Sequence, residues 1–123
     1  MLVVVLADTH IPRRAKGLPE GLVSRLESAD LILHAGDLLV EDVTVAMIHD
    51  SGPKKGRWGR MRRRFPGARI VVFGHSHIPW IEDEGGLMLL NPGSPTDRRR
   101  APDHTFALLR VEGGEARAEI LTL

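Results

Sequence analysis

Short apolar runs, a segment at helical spacing between them and two glycine-centred hairpins toward the C-terminus predict an α/β sandwich. In such a fold a buried sheet carries helices outside it, and antiparallel strands come after. Residues 2–6 form a continuous Val-rich run, the pattern of a strand buried on both faces. Leu18, Leu22, Leu26 and Ala29 recur at helical spacing, which predicts an amphipathic helix over residues 19–29. Residues 31–33 read as a second short buried strand. Residues 43–48 are a third apolar run that fits a strand or a helix. Trp58, Met61 and Phe65 share one helical face, and Pro66-Gly67 stops that helix. Arg60, Arg63 and Arg64 are then expected to point to solvent. Residues 69–73 read as a fourth buried strand. Residues 80–83 and 87–90 flank Glu84-Gly85-Gly86, and residues 105–111 and 116–121 flank Glu112-Gly113-Gly114-Glu115. Both are hairpin signals. The order of strands within the sheet is not fixed by this pattern.

The chain has 123 residues, 17 Lys+Arg against 16 Asp+Glu, 6 His and no Cys, which suits one domain over residues 1–123. At 42% hydrophobic and 27% charged residues the composition is globular, so wholesale disorder is excluded. No apolar run approaches the roughly 18 residues of a membrane span. The first apolar run has no basic lead-in or cleavage site, so a cytoplasmic location is expected. Without cysteine there is no disulfide framework, thiolate metal site or thiol nucleophile. Basic residues cluster at Lys54, Lys55, Arg57, Arg60, Arg62, Arg63, Arg64 and Arg69 with no acid between, and again at Arg98-Arg99-Arg100. They read as solvated surface, or as an electrostatic approach for a phosphate-bearing substrate.

The residues at the end of each apolar run are more specific. Residues 2–6 lead to Ala7-Asp8-Thr9-His10, residues 31–33 to His34-Ala35-Gly36-Asp37, residues 43–48 to His49-Asp50, and residues 70–73 to Gly74-His75-Ser76-His77. In α/β sheets, ligands bind at the carboxyl ends of strands. Five of the six histidines fall there; His104 does not. Asp and His are the ligands for divalent transition metals when no thiolate is available. Asp8 and His10, like His75 and His77, are two residues apart, so on an extended segment each pair shares a face. Gly36 and Gly74 precede Asp37 and His75, where a tight turn or a close backbone approach would serve.

These elements, with Asn91-Pro92-Gly93-Ser94, resemble the signature of calcineurin-like metallophosphoesterases, most closely the small bacterial and archaeal phosphodiesterase branch. The resemblance runs in order along the chain. It implies the αββα sandwich of that family, shortened here between the second and third motifs. It also implies a metal-dependent phosphoric ester hydrolase with two divalent ions, Mn2+ first, with Fe, Zn, Ni or Co as alternatives. By the same resemblance Asp8, His10 and His77 hold one ion, His49 and His75 the other, and Asp37 bridges both. The metals would turn a bridging water into the attacking hydroxide. Implied partners are a phosphate-ester small molecule or a nucleotide, with no membrane; a second copy of the chain is an admissible partner. His34 reads as structural first and as an outer support of the ligands second.

The chain departs from the family in one place. Members usually carry a Gly-Asn-x-Asp element before the lone His, and its Asn binds the second metal. Here the single asparagine is Asn91, and eleven residues separate Asp37 from His49. If residues 31–33 and 45–48 were neighbouring parallel strands, a crossover of a dozen or more residues would be needed. A segment lost near residues 42–44 is therefore expected. The alternative function is a catalytically degenerate metal-binding or protein-interaction module of the same fold, for which the retromer subunit sharing the fold is a precedent. Nucleic-acid binding would rest on the basic stretch alone, which lacks interleaved aromatics.

Overall fold

The computed structural model describes residues 2–5, 7, 19–22, 31–33, 38–40 and 43–123. Its strands are β1 (Leu2–Val5), β2 (Leu31–Leu33), β3 (Leu38–Val40), β4 (Val43–Ile48), β5 (Ile70–Phe73), β6 (Trp80–Glu84), β7 (Leu87–Asn91), β8 (Thr105–Glu112) and β9 (Glu115–Thr122). Helix α1 spans Arg57–Arg64. The strands form two sheets, ordered β2-β1-β8-β9 and β3-β4-β5-β7-β6.

The run that fitted either strand or helix is β4, paired parallel with β5. Leu38–Val40, which the sequence pattern did not single out, pairs antiparallel with β4, Val40 facing Val43. That arrangement removes the premise of a missing crossover. β2 and β4 lie in different sheets, and the second sheet is entered through a hairpin, which needs only a two-residue connection.

The strand periodicity explains the layering. Val3, Val5, Ala107, Leu109 and Val111 of the first sheet meet Val43, Val45, Ile70, Val72, Met88 and Leu90 of the second in one buried cluster. The alternate residues face outward. Val4, Phe106 and Leu108 pack with Leu22, in the helical residues 20–22, on one outer face. Ala46, Val71, Phe73, Leu87 and Leu89 pack with Met61 of α1 on the other. Each sheet is thus apolar on both sides, and this is why the strands read as unbroken Val, Ile and Leu runs. Among the described residues the layers are the helical segment 20–22, the two sheets and α1; the rest of the helix expected over residues 19–29 lies outside the described residues.

Both glycine pairs close hairpins as read. Gly85 and Gly86 have φ of 55° and 79°, and Gly113 and Gly114 have 58° and 79°. Two successive positive φ values are what a two-residue turn of the primed type requires. Helix α1 buries Met61, with Trp58 and Phe65 half-buried beside it. Gly56, at φ 74°, caps its start, and no acid occupies its first turn. Arg63 and Arg64 are exposed as expected. Arg60 is not. Its Nε and Nη2 donate to Ser51 O at 3.0 and 2.7 Å, and Nη2 also donates to Pro53 O at 2.6 Å. The loop carbonyls have no helix or strand partner of their own, and a forked guanidinium can serve two of them at once. Among the described residues no helix is long and apolar enough to cross a membrane.

These packings order three substitutions. Met61→Ala should cost about 2–5 kcal/mol in urea unfolding, as for buried Met elsewhere. Arg60→Ala should cost about 1–2 kcal/mol through the lost loop contacts. Arg63→Ala should stay under about 0.5 kcal/mol. Equal losses at Arg60 and Arg63 would refute the loop-holding role.

Candidate metal centre

β4, β5 and β7 run parallel, so their carboxyl ends lie along one edge of the second sheet. His49 follows β4, Gly74-His75-Ser76-His77 follows β5, and Asn91 ends β7. Gly74 N donates to His49 O at 3.0 Å, which extends the β4–β5 pairing by one step and brings the two loops together. There His75 Nδ1 and His49 Nε2 face each other at 3.3 Å, with the rings nearly perpendicular. Both residues are exposed. Two imidazole nitrogens at that separation share a proton, or both turn lone pairs to a cation. On the far side of His75, Nε2 lies 3.9 Å from Asp50 Oδ2, ion-pair range and too long for a hydrogen bond. Asp50 is itself oriented, its Oδ1 accepting from Gly52 N at 2.8 Å. At that distance the carboxylate acts on His75 through its charge and not through a hydrogen bond.

His77 does not share this face. His75 has φ 72° and His77 has φ 64°, so the segment is left-handed at both residues and the two-residue repeat of an extended strand does not apply. His75 is exposed, while His77 is 0% exposed. His77 Nδ1 donates to the carbonyl of Asp97. A carbonyl only accepts, so Nδ1 carries a proton, and Nε2 is the nitrogen through which this ring would bind a metal. Gly74, expected to supply the tight turn, has no positive φ; the histidines take that conformation themselves.

The residue that holds this loop is Asn91. Its side chain is fully buried. Nδ2 donates to Ser76 Oγ at 3.2 Å and, at a longer 3.4 Å, to Gly74 O, while Oδ1 accepts from Gly93 N at 2.9 Å. Ser94, also fully buried, accepts from Asp97 N at 2.9 Å and Thr96 N at 3.3 Å. Arg99 Nη1 donates to His75 O at 2.9 Å. The sequence shows the Asn91–Ser94 motif without a role for it and does not distinguish Arg99 from its neighbours. Composition around Asn91 carries no further signal, because its part is set by where β7 ends.

Of the six residues expected as ligands, the structure brings His49 and His75 together and places His77 in the same loop. Asp8, His10 and Asp37, and also His34, lie outside the described residues. Among the described residues no group of three or more His, Asp and Glu is arranged to hold a metal ion. The described donors suited to a cation are the two facing imidazoles of His49 and His75, with the Asp50 carboxylate 3.9 Å from His75.

Residues 38–114 match the calcineurin-like phosphoesterase superfamily domain. The chain belongs to that family. A probable metallophosphoesterase of Methanothermobacter thermautotrophicus is 31% identical over 159 aligned positions, spanning 98% of this chain and 92% of the relative. Another, from Methanocaldococcus jannaschii, is 29% identical over 91% of this chain and 77% of its own. Among solved structures, the Thermotoga maritima protein TM1076 superposes with a TM-score of 0.69 at 24% identity, covering 99% of each chain. Wild-type Vps29 of Entamoeba histolytica, crystallised with zinc, gives 0.70 at 18% identity over 99% of each. The two-sheet fold is therefore the family's, and membership implies divalent metal ions in the site.

Two substitutions test the Asn91 hub. Asn91→Ala leaves buried partners unmet and should destabilise by on the order of 1–3 kcal/mol in urea unfolding. Gly93→Ala should also be strongly destabilising, since a Cβ there would meet Thr105 Oγ1 at 1.9 Å and the backbone is left-handed at φ 74°. An Asn91→Ala protein as stable as the parent would contradict the hub.

Proposed function

We propose that the chain is a metal-dependent phosphoesterase that hydrolyses phosphate esters, phosphodiesters among them, at the carboxyl edge of β4, β5 and β7. The observation that carries this reading is the meeting of His49 and His75 from two adjacent parallel strands, nitrogen to nitrogen at 3.3 Å. Asp8, His10 and His77 would hold one divalent ion, His49 and His75 the second, and Asp37 would bridge them. Mn2+ is the first choice, and the nitrogen and oxygen donors also suit Fe, Zn, Ni or Co.

Bound there, the two ions would supply a hydroxide at neutral pH and a positive field for the phosphoryl oxygens of an in-line displacement. The protein's own work is to orient. The Asp97 carbonyl orients the His77 ring, and Asn91 keeps the loop that carries His75 and His77 in its left-handed form. No side-chain nucleophile is required: the chain has no cysteine, and Ser76 Oγ accepts from Asn91 Nδ2 and Ile78 N. The substrate class is a small phosphate ester or a nucleotide, drawn by the basic flank at residues 54–64. Trp58 and Phe65 pack against the sheet beneath α1 and form no exposed stacking platform, which disfavours single-stranded nucleic acid.

One observation favours the second reading, a metal-binding or protein-interaction module that keeps the fold without efficient catalysis. The only asparagine in the sequence is Asn91, and its amide is committed inside the loop. It does not stand in for the asparagine that the family places on the second metal. Hydrolysis of bis-p-nitrophenyl phosphate with added manganese separates the two readings.

Metal titration by calorimetry tests the ligand roles. The parent should show two unequal manganese sites, because the second lacks its asparagine. His49→Ala should retain one, and Asp37→Asn should bind little, since its charge offsets repulsion between the cations. Two equal sites in the parent would mean that another group, such as Asp50, completes the second. Unchanged binding in Asp37→Asn would end the dinuclear proposal.

A further inference from the structure

Three non-glycine residues among those described have positive φ: His75 at 72°, His77 at 64° and Arg99 at 47°. All three sit in one hydrogen-bonded unit. Arg99 Nη1 donates to His75 O at 2.9 Å, and His77 Nδ1 donates to the carbonyl of Asp97, two residues before Arg99. A left-handed backbone at a long side chain is strained and persists only where its surroundings hold it.

The three consecutive arginines divide by contact. Arg98 Nη1 donates to Ala101 O and Pro102 O, both at 3.2 Å, and so closes its own loop. Arg100 is exposed. Arg99 alone of the three makes a described contact with the loop that carries His75 and His77. A guanidinium has five N–H donors in a planar fork. One of them meets His75 O, and Arg99 is exposed, so its other donors are open to solvent next to the loop whose His75 ring faces His49. No carboxylate pairs with Arg99 among the described residues.

We propose that Arg99 is a phosphate-binding residue of this site, one guanidinium nitrogen holding the His75 carbonyl while the outward donors take an oxygen of the phosphoryl group. This rests on the phosphoester reading above. The fork matches a tetrahedral oxyanion better than an ammonium does. The strained φ sets the direction of the side chain, and the bond to His75 keeps it against the loop.

The test pairs calorimetric titration of inorganic phosphate into the manganese-loaded protein with steady-state hydrolysis of bis-p-nitrophenyl phosphate. Arg99→Gly relieves the positive φ but also gives up the bond to His75 O, so manganese affinity is titrated beside phosphate, and its retention shows that the His75 loop is intact. The expected result is a folded protein whose phosphate affinity falls roughly ten- to hundredfold, with KM rising more than kcat falls. Arg99→Lys should recover part of the loss. Arg100→Ala removes the same charge one residue away and should stay within about twofold, as screened surface charges do. If glycine loosens the loop, Arg99→Gln carries the same comparison. Equal losses at Arg99 and Arg100, an Arg99→Gly protein that binds phosphate like the parent, or a parent that binds no phosphate would each overturn the proposal. A parent that binds phosphate through Arg99 yet hydrolyses nothing would support it while ending the hydrolase reading. Full hydrolysis by Arg99→Gly with unchanged KM would do the reverse.

Discussion

The buried amide of Asn91 reaches from the end of β7 to the loop after β5, donating to Ser76 Oγ and Gly74 O while accepting from Gly93 N. That loop carries two histidines in left-handed backbone, each at a cost on the order of 1–3 kcal/mol. The hydrogen bonds offset this cost by giving buried polar groups the partners they would otherwise lack. Two further contacts complete the hold, His77 on the Asp97 carbonyl and Arg99 on the His75 carbonyl. The result is a loop of fixed shape. One histidine is turned outward to meet His49; the other is turned inward and held on the Asp97 carbonyl.

The loop can be held this way because the sheet beneath it is packed on both faces. Apolar residues cover both faces of the second sheet, toward the first sheet on one side and toward Met61 of α1 on the other. The parallel pairing of β4 with β5 and of β5 with β7 then sets His49, His75 and Asn91 along one edge. Arg60 ties the 51–53 carbonyls to α1, so the segment leaving His49 is anchored at its far end as well. Packing fixes where the site lies, and a few buried hydrogen bonds fix its shape.

Much of this is legible in the sequence, and the limits have physical causes. Strands buried on both faces read as Val-rich runs, and the Gly-Gly hairpins announce themselves through the φ values they demand. The helix from residue 57 shows its Trp58, Met61 and Phe65 stripe. β3, at three residues, is too short to produce a period, and with it the route from one sheet to the other stays hidden. That gap hides that residues 31–33 and 45–48 lie in different sheets, so the crossover argument does not apply to them. The shared face expected of His75 and His77 fails because two-residue spacing says nothing once φ turns positive. Helix geometry puts Arg60 toward solvent because it shows only which face a residue occupies, while the loop carbonyls that capture it are a tertiary feature. Asn91 and Arg99 owe their parts to where strands end, which no local pattern encodes.

The central claim is that divalent metal collects where β4 and β5 end. Anomalous diffraction from crystals soaked in manganese tests it without relying on any substrate. The account predicts two peaks about 3.5–4 Å apart, the weaker one about 2 Å from ring nitrogens of His49 and His75. The stronger peak should lie beside His77 and bring Asp8, His10 and Asp37 into the same shell. Manganese bound elsewhere on the protein, with no peak in contact with His49 or His75, would contradict it.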